Sequence, residues 1–136
     1  MSTLRVGELA VHGNVNLETI RYYEREGLMR PPRRTPSGHR AYGSADVLRL
    51  RFIKRSQALG FTLTEIKELL ALKVTPNKPC TNVVRQIDAK ALEVKAKITH
   101  LQAIKRTLRK MKASCEGRCL VSECPILESL DSGFAS

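Results

Sequence analysis

Several things are missing from this chain of 136 residues. No apolar run approaches the ~20 residues that a membrane span requires. The N-terminus carries no apolar stretch of the signal-peptide kind, so the expected location is the cytoplasm and no membrane partner is expected. No Ser/His/Asp set, phosphate-cradling glycine loop or recognisable pair of acids appears, and His12, His39 and His100 fall in three separate segments. That argues against an enzyme. Paired CxxC knuckles of the zinc-finger type are absent too. Acidic residues are in deficit: 24 Lys and Arg stand against 13 Asp and Glu, a formal charge of +11. The excess is shared along the chain, with +6 over residues 1–76 and +5 over 77–136. A surplus spread in this way marks a protein that meets polyanions.

What is present reads as mostly all-α. Val6, Leu9 and Ala10 lie at helical spacing before Gly13, and a second short helix is predicted over Leu17–Glu26, capped by Asn16 and stopped by Gly27. Two short helices around a tight turn make a helix-turn-helix pattern. The stretch RPPRRTPSGHRAYG over 30–43 is too broken for a helix and predicts two short strands around a turn at Ser37–Gly38, a wing. Ser44 is the expected cap of a third helix to about Leu59, with Val47, Leu48, Leu50, Phe52, Ile53 and Leu59 supplying its apolar faces. Thr62-Leu-Thr-Glu65 forms a capping box for a fourth helix ending near Leu72.

A long helix is then predicted over Cys80–Lys112. Val84, Ile87, Ala91, Val94, Ile98, Leu101, Ile104, Leu108 and Met111 recur in steps of three and four. The resulting heptad seam is too long and narrow to be buried inside a small monomer. Ser114–Glu123 reads as a loop, and Pro125–Leu130 as one or two helical turns. The expected organisation is 1–43 winged helix-turn-helix DNA-binding domain, 44–76 connector helix pair, 77–112 dimerisation helix, and 113–136 metal-binding loop with a short helix.

Two constellations carry chemistry. For double-stranded DNA, the second helix offers Asn16, Glu18, Thr19, Arg21 and Tyr22, since the second helix of such motifs enters the major groove. The wing adds Arg33, Arg34, His39, Arg40 and Tyr42 as candidates for phosphate. Tyr22 and Tyr23 differ by ~100° around a helix, so one of them belongs in the core. The cysteines form the second set. Cys80 heads the long helix, while Cys115, Cys119 and Cys124 follow it. A helix rises ~1.5 Å per residue, placing Cys80 and Cys115 roughly 50 Å apart within one chain. Thiolates on one ion lie within a few ångström of each other. Cys80 therefore joins the others only if a second, antiparallel chain supplies it. Converging thiolates select Hg(II), Pb(II), Cd(II), Zn(II) or Cu(I) over Mg or Ca.

The segments VNLETIRYYEREGLM and HRAYGSADVLRLRFIKRSQALGFTLTEIKELL, the long helix and the cysteine placement together resemble the MerR family of metal-responsive bacterial transcription regulators, along nearly the whole chain. The resemblance implies a homodimer joined by an antiparallel coiled coil, with winged heads on a pseudo-palindromic operator. It also implies a promoter whose spacer is too long for RNA polymerase, which the metal-loaded dimer twists into alignment. Cys80, Cys115 and Cys124 match the three ligands of the mercury-resistance regulators, so Hg(II) is the expected effector, with Pb(II), Cd(II) or Zn(II) as alternatives. Cys119 departs from the mercury pattern. It stands where the family's zinc sensors place a histidine, and is a possible fourth ligand.

Overall fold

The structure, a computed structural model, describes residues 3–133. The chain divides into two compact units, residues 1–85 and 86–136, with the boundary inside one long helix.

The first unit opens with α1, Val6–Gly13, whose N-terminus is closed by Glu8: its carboxylate accepts the Arg5 backbone N–H at 3.1 Å. Asn14, in the left-handed region at φ 53°, ends the helix. α2, Leu17–Arg25, starts where expected, because the Asn16 carboxamide oxygen accepts the Thr19 N–H at 2.8 Å. The wing is a two-stranded antiparallel ribbon, β1 Arg33–Arg34 against β2 Arg40–Ala41, with Arg33 opposite Ala41 and Arg34 opposite Arg40. Gly38 turns it at φ 85°, a conformation side-chain-bearing residues rarely adopt. The ribbon is extended by an unexpected bridge: Leu4 and Tyr42 exchange backbone hydrogen bonds of 2.6 and 2.8 Å.

α3 spans Ser44–Ala58 and α4 Leu63–Lys73. The cap of α3 is Gly43 rather than Ser44, its N–H donating to the Asp46 carboxylate at 2.8 Å. At α4 the capping box forms in both directions: Glu65 N–H donates to Thr62 Oγ1 at 3.2 Å, and Thr62 N–H to Glu65 Oε1 at 2.8 Å.

One core holds the unit together, built from Leu9, Ile20, Tyr23, Leu28, Met29, Leu50, Ile53, Phe61, Ile66 and their neighbours. α1 meets α3 closely at Gly13. A Cβ there would lie 2.1 Å from Leu50 Cδ2, so any larger residue would force the Leu50 side chain to move. Not all the apolar positions of α3 and its end are covered. Leu48 and Leu59 remain exposed, being turned away from the side of α3 that carries Leu50 and Ile53.

The long helix, α5, runs unbroken over Thr81–Ala113. Cys80 is the residue just before it, its carbonyl accepting the Val84 N–H at 3.0 Å. In the second unit α5 stands with Ile87, Val94, Ile98, Leu101, Ile104 and Leu108 exposed, a row of apolar side chains left uncovered among the described residues. After a loop and a 3-10 turn at Val121–Glu123 comes α6, Pro125–Ser132. Among the described residues, no helix is long and apolar enough to cross a membrane.

Candidate metal centre and DNA-binding face

The loop after α5 folds back on itself. The last turn of α5 is closed by Ser114, whose N–H reaches the Lys110 carbonyl at 3.1 Å and whose hydroxyl donates to Met111 O at 2.6 Å. Gly117 then takes φ 80°, a left-handed turn that aims its N–H at Cys115 Sγ, 3.4 Å away. The reversal brings Cys119 Sγ to 3.2 Å from Cys115 Sγ. Cys124 ends the 3-10 turn and caps α6, with Pro125 in the first helical position where its missing N–H costs nothing. The three sulfur atoms of Cys115, Cys119 and Cys124 all lie within 4.8 Å of one another.

Three thiols so close cannot ionise independently. The Cys115 thiol is pulled down, chiefly by the Gly117 N–H and then by the Cys119 thiol, both of which donate to its thiolate. Cys119 is correspondingly pushed up to about 11, first by its hydrogen bond to Cys115, then by burial and by the negative charge beside it. Ionisation in the cluster therefore falls on Cys115 before Cys119, which holds its proton more tightly. An ion bound there displaces the proton to solvent. Tetrahedral coordination with metal–sulfur bonds of ~2.3 Å sets sulfurs ~3.8 Å apart, so the spacing suits a soft ion with little rearrangement. Cys115 and Cys124 thus converge within one chain, Cys119 joins them, and Cys80 is exposed at the head of α5.

On the first unit, the candidate DNA residues are mostly at the surface. Thr19 donates both its N–H and its hydroxyl to Asn16 Oδ1, so Asn16 spends its oxygen on the helix cap and keeps its amide N–H groups. Glu18 and Arg21 pair at 3.3 Å, both exposed. Tyr22 is exposed with Arg25 over its ring, whereas Tyr23 is buried and hydrogen-bonds Gln57. Arg33, Arg34 and His39 are exposed on the wing, Arg34 donating to Gly38 O at 3.0 Å.

Tyr42 drops out of the expected contact set. It is 1% exposed, and its hydroxyl donates to Glu24 Oε1 at 2.5 Å. Arg40 pairs with the other oxygen of the same carboxylate at 3.0 Å while staying partly exposed. Glu24, which the sequence reading passed over, therefore ties the wing to α2. The available signal was its position one turn after the buried Ile20, a charge on the helix side that faces the core. Arg49 is the second such residue, its Nε donating to Leu28 O at 2.5 Å and fastening the end of the α2 turn to α3.

A winged helix-turn-helix head, a long helix with an uncovered seam and a thiol cluster together define a DNA-binding regulator. The chain matches the MerR HTH regulatory protein family over residues 4–73 and the MerR DNA-binding family over 47–111. It is 44% identical to a mercuric resistance operon regulatory protein of Bacillus cereus, covering 93% of this chain and 96% of that one. A heavy metal-dependent transcription regulator of Rhizobium meliloti is 37% identical, at 97% and 89% coverage. Among solved structures, the regulator PbrR691 of Ralstonia metallidurans in complex with lead(II) superposes with a TM-score of 0.83 at 38% identity, covering 93% of this chain and 98% of that one. MerR of Bacillus megaterium with mercury(II) gives 0.70 at 41% identity, with 94% and 99% covered. The chain belongs to the MerR family, as a metal-responsive transcriptional regulator rather than an enzyme.

Proposed function

We propose that this protein is a cytoplasmic, homodimeric promoter switch that represses without metal and activates when a soft ion, Hg(II) first among them, binds Cys115 and Cys124 together with the partner's Cys80. Residues 1–43 read the operator, 44–76 connect, 77–112 pair two chains, and 113–136 hold the ion.

One observation carries this reading. The uncovered seam of α5 is symmetric about a point between Lys97 and Ile98: Ile87 and Leu108, Ala91 and Ile104, Val94 and Leu101 have residue numbers that each add to 195. Two copies laid antiparallel in that register bring these apolar residues opposite one another, with Ile98 beside the partner's Lys97 at the centre. The numbers of Cys80 and Cys115 also add to 195. The packing that buries the seam is the packing that delivers the partner's sulfur, across a helix whose 33 residues extend ~50 Å. Three thiolates form a soft, low-coordination set that suits Hg(II) and disfavours oxygen-seeking ions.

Asn16, Glu18, Thr19, Arg21 and Tyr22 face the major groove in this reading, and Arg33, Arg34, His39 and Arg40 reach phosphates from the wing. The ion shifts the dimer between two DNA-bound conformations only through a difference in its affinity for them. The activating one twists the promoter for RNA polymerase, a deformation whose energy depends on the spacer sequence.

Mixed dimers test the shared site. Cys80→Ser and Cys115→Ser homodimers each lack every complete site, but a dimer with one chain of each retains one. Footprinting on promoter DNA is expected to show Hg(II)-dependent distortion for the mixed dimer and for neither homodimer. A wild type that distorts DNA beside a mixed dimer that does not would overturn the proposal.

A further inference from the structure

The geometry points to Cys119 as a metal ligand, completing a three-thiolate seat inside one chain and, with the partner's Cys80, a four-thiolate site that admits Cd(II). The inference rests on the metal-sensing reading above and deepens it by naming the residue that widens the range of ions.

A solvent-facing cysteine on a loop has no reason to converge on two others. Here the loop is built so that it does. Gly117 adopts the left-handed turn at φ 80°, and the three intervening residues return Cys119 to 3.2 Å from Cys115. Its sulfur also falls within 4.8 Å of Cys124. No other group of three potential ligands gathers this tightly among the described residues. The three sulfurs lie close enough together to share one ion, and Cys119, being exposed, leaves the cluster open to an arriving one. On coordination each thiol binds as thiolate and its proton passes to water.

The number of sulfurs decides which ions respond. Three sulfurs, from Cys115, Cys124 and the partner's Cys80, suit Hg(II), which gains little from a fourth. Cd(II) and Zn(II) favour a closed tetrahedron of four. With Cys119 in the first coordination sphere the site offers four thiolates, three of which need no dimer partner.

The test uses the full-length dimer under reductant, loaded with Cd(II) or Hg(II), with sulfur number read from the cadmium-113 NMR shift and from X-ray absorption. Wild type is expected to show Cd(II) with four sulfurs, and both Cys119→Ser and Cys80→Ser with three. Affinity for Cd(II) should fall at least ~10-fold in Cys119→Ser, since loss even of groups supporting a ligand costs that much, while Hg(II) affinity moves less than ~3-fold. Three sulfurs in both wild type and Cys119→Ser, with unchanged Cd(II) affinity, would refute the role of Cys119 and leave the Hg(II) switch standing. Undiminished binding of both ions by Cys115→Ser would instead remove the metal-sensing reading itself.

Discussion

Truncating Leu101 to alanine tests the register of the α5 pair most directly. Leu101 is 61% exposed in the single chain, and the symmetric register sets it against the partner's Val94. Fully burying a leucine side chain contributes ~1.5–3 kcal/mol, so the surface left open at Leu101 represents ~1–2 kcal/mol to be gained on pairing. The two-fold arrangement repeats the loss at both copies, giving ~2–4 kcal/mol per dimer. The dissociation constant of the dimer should therefore rise by ~30- to ~700-fold. Sedimentation equilibrium under reductant reads this directly. Leu92 is the control: it is 68% exposed on α5 but lies off the seam, and Leu92→Ala should leave the constant within ~3-fold. Hg(II) binding by Leu101→Ala should weaken at low protein concentration and recover as concentration rises, because only the dimer holds the complete site. Equal effects of the two substitutions, or none at Leu101, would refute the register and the shared sulfur site with it.

Three further outcomes follow from the first unit. Glu24→Ala leaves the buried Tyr42 hydroxyl unpaired and Arg40 without its partner, and should lower stability by ~1–3 kcal/mol, read as a shift of the urea midpoint; an unchanged midpoint contradicts the tie between wing and helix. The Tyr42 phenol is pushed up to about 12, by burial first and then by Glu24, above the ~10 of an unfolded tyrosine. Its contribution is thus fully present below pH ~10 and lost as pH climbs towards ~12, so Tyr42→Phe, compared with wild type over that window, should lose the corresponding part of the slope. Gly13→Ala places a methyl 2.1 Å from Leu50 Cδ2, and overpacking of ~1–3 kcal/mol outweighs the ~1 kcal/mol that alanine gains in a helix. Combining it with Leu50→Ala should recover part of the loss, and strict additivity of the two would contradict the close approach.

Features set by neighbouring residues were legible before any coordinates. The Asn16 cap, the Thr62–Glu65 box and the long α5 depend on spacing within one or two turns, and the structure reproduces them. That one of Tyr22 and Tyr23 would be buried also followed from helical geometry, and the structure makes it Tyr23. Tertiary pairing was not legible. Tyr42 looked like a phosphate donor because its distant partner, Glu24, lies 18 positions away, and nothing local reveals that carboxylate turning inward. Leu48 and Leu59 counted among the apolar faces of α3, but spacing alone does not say which of those faces the unit covers. In the candidate metal site, Cys115 and Cys124 could be paired from spacing and family likeness. The convergence of Cys119 hung on the sign of one backbone angle at Gly117, which a string of letters does not carry.

The symmetric centre of α5 has a consequence for how such a helix can change. Seven residues inserted between Lys97 and Ile98 would lengthen the rod by ~10 Å, yet both partners would grow together and Cys80 would still arrive opposite Cys115. Two inserted residues would twist the flanking halves by ~200° and send the sulfurs to opposite sides. In the proposed pair, capture of the ion would therefore be indifferent to the length of the rod and strict about its phase.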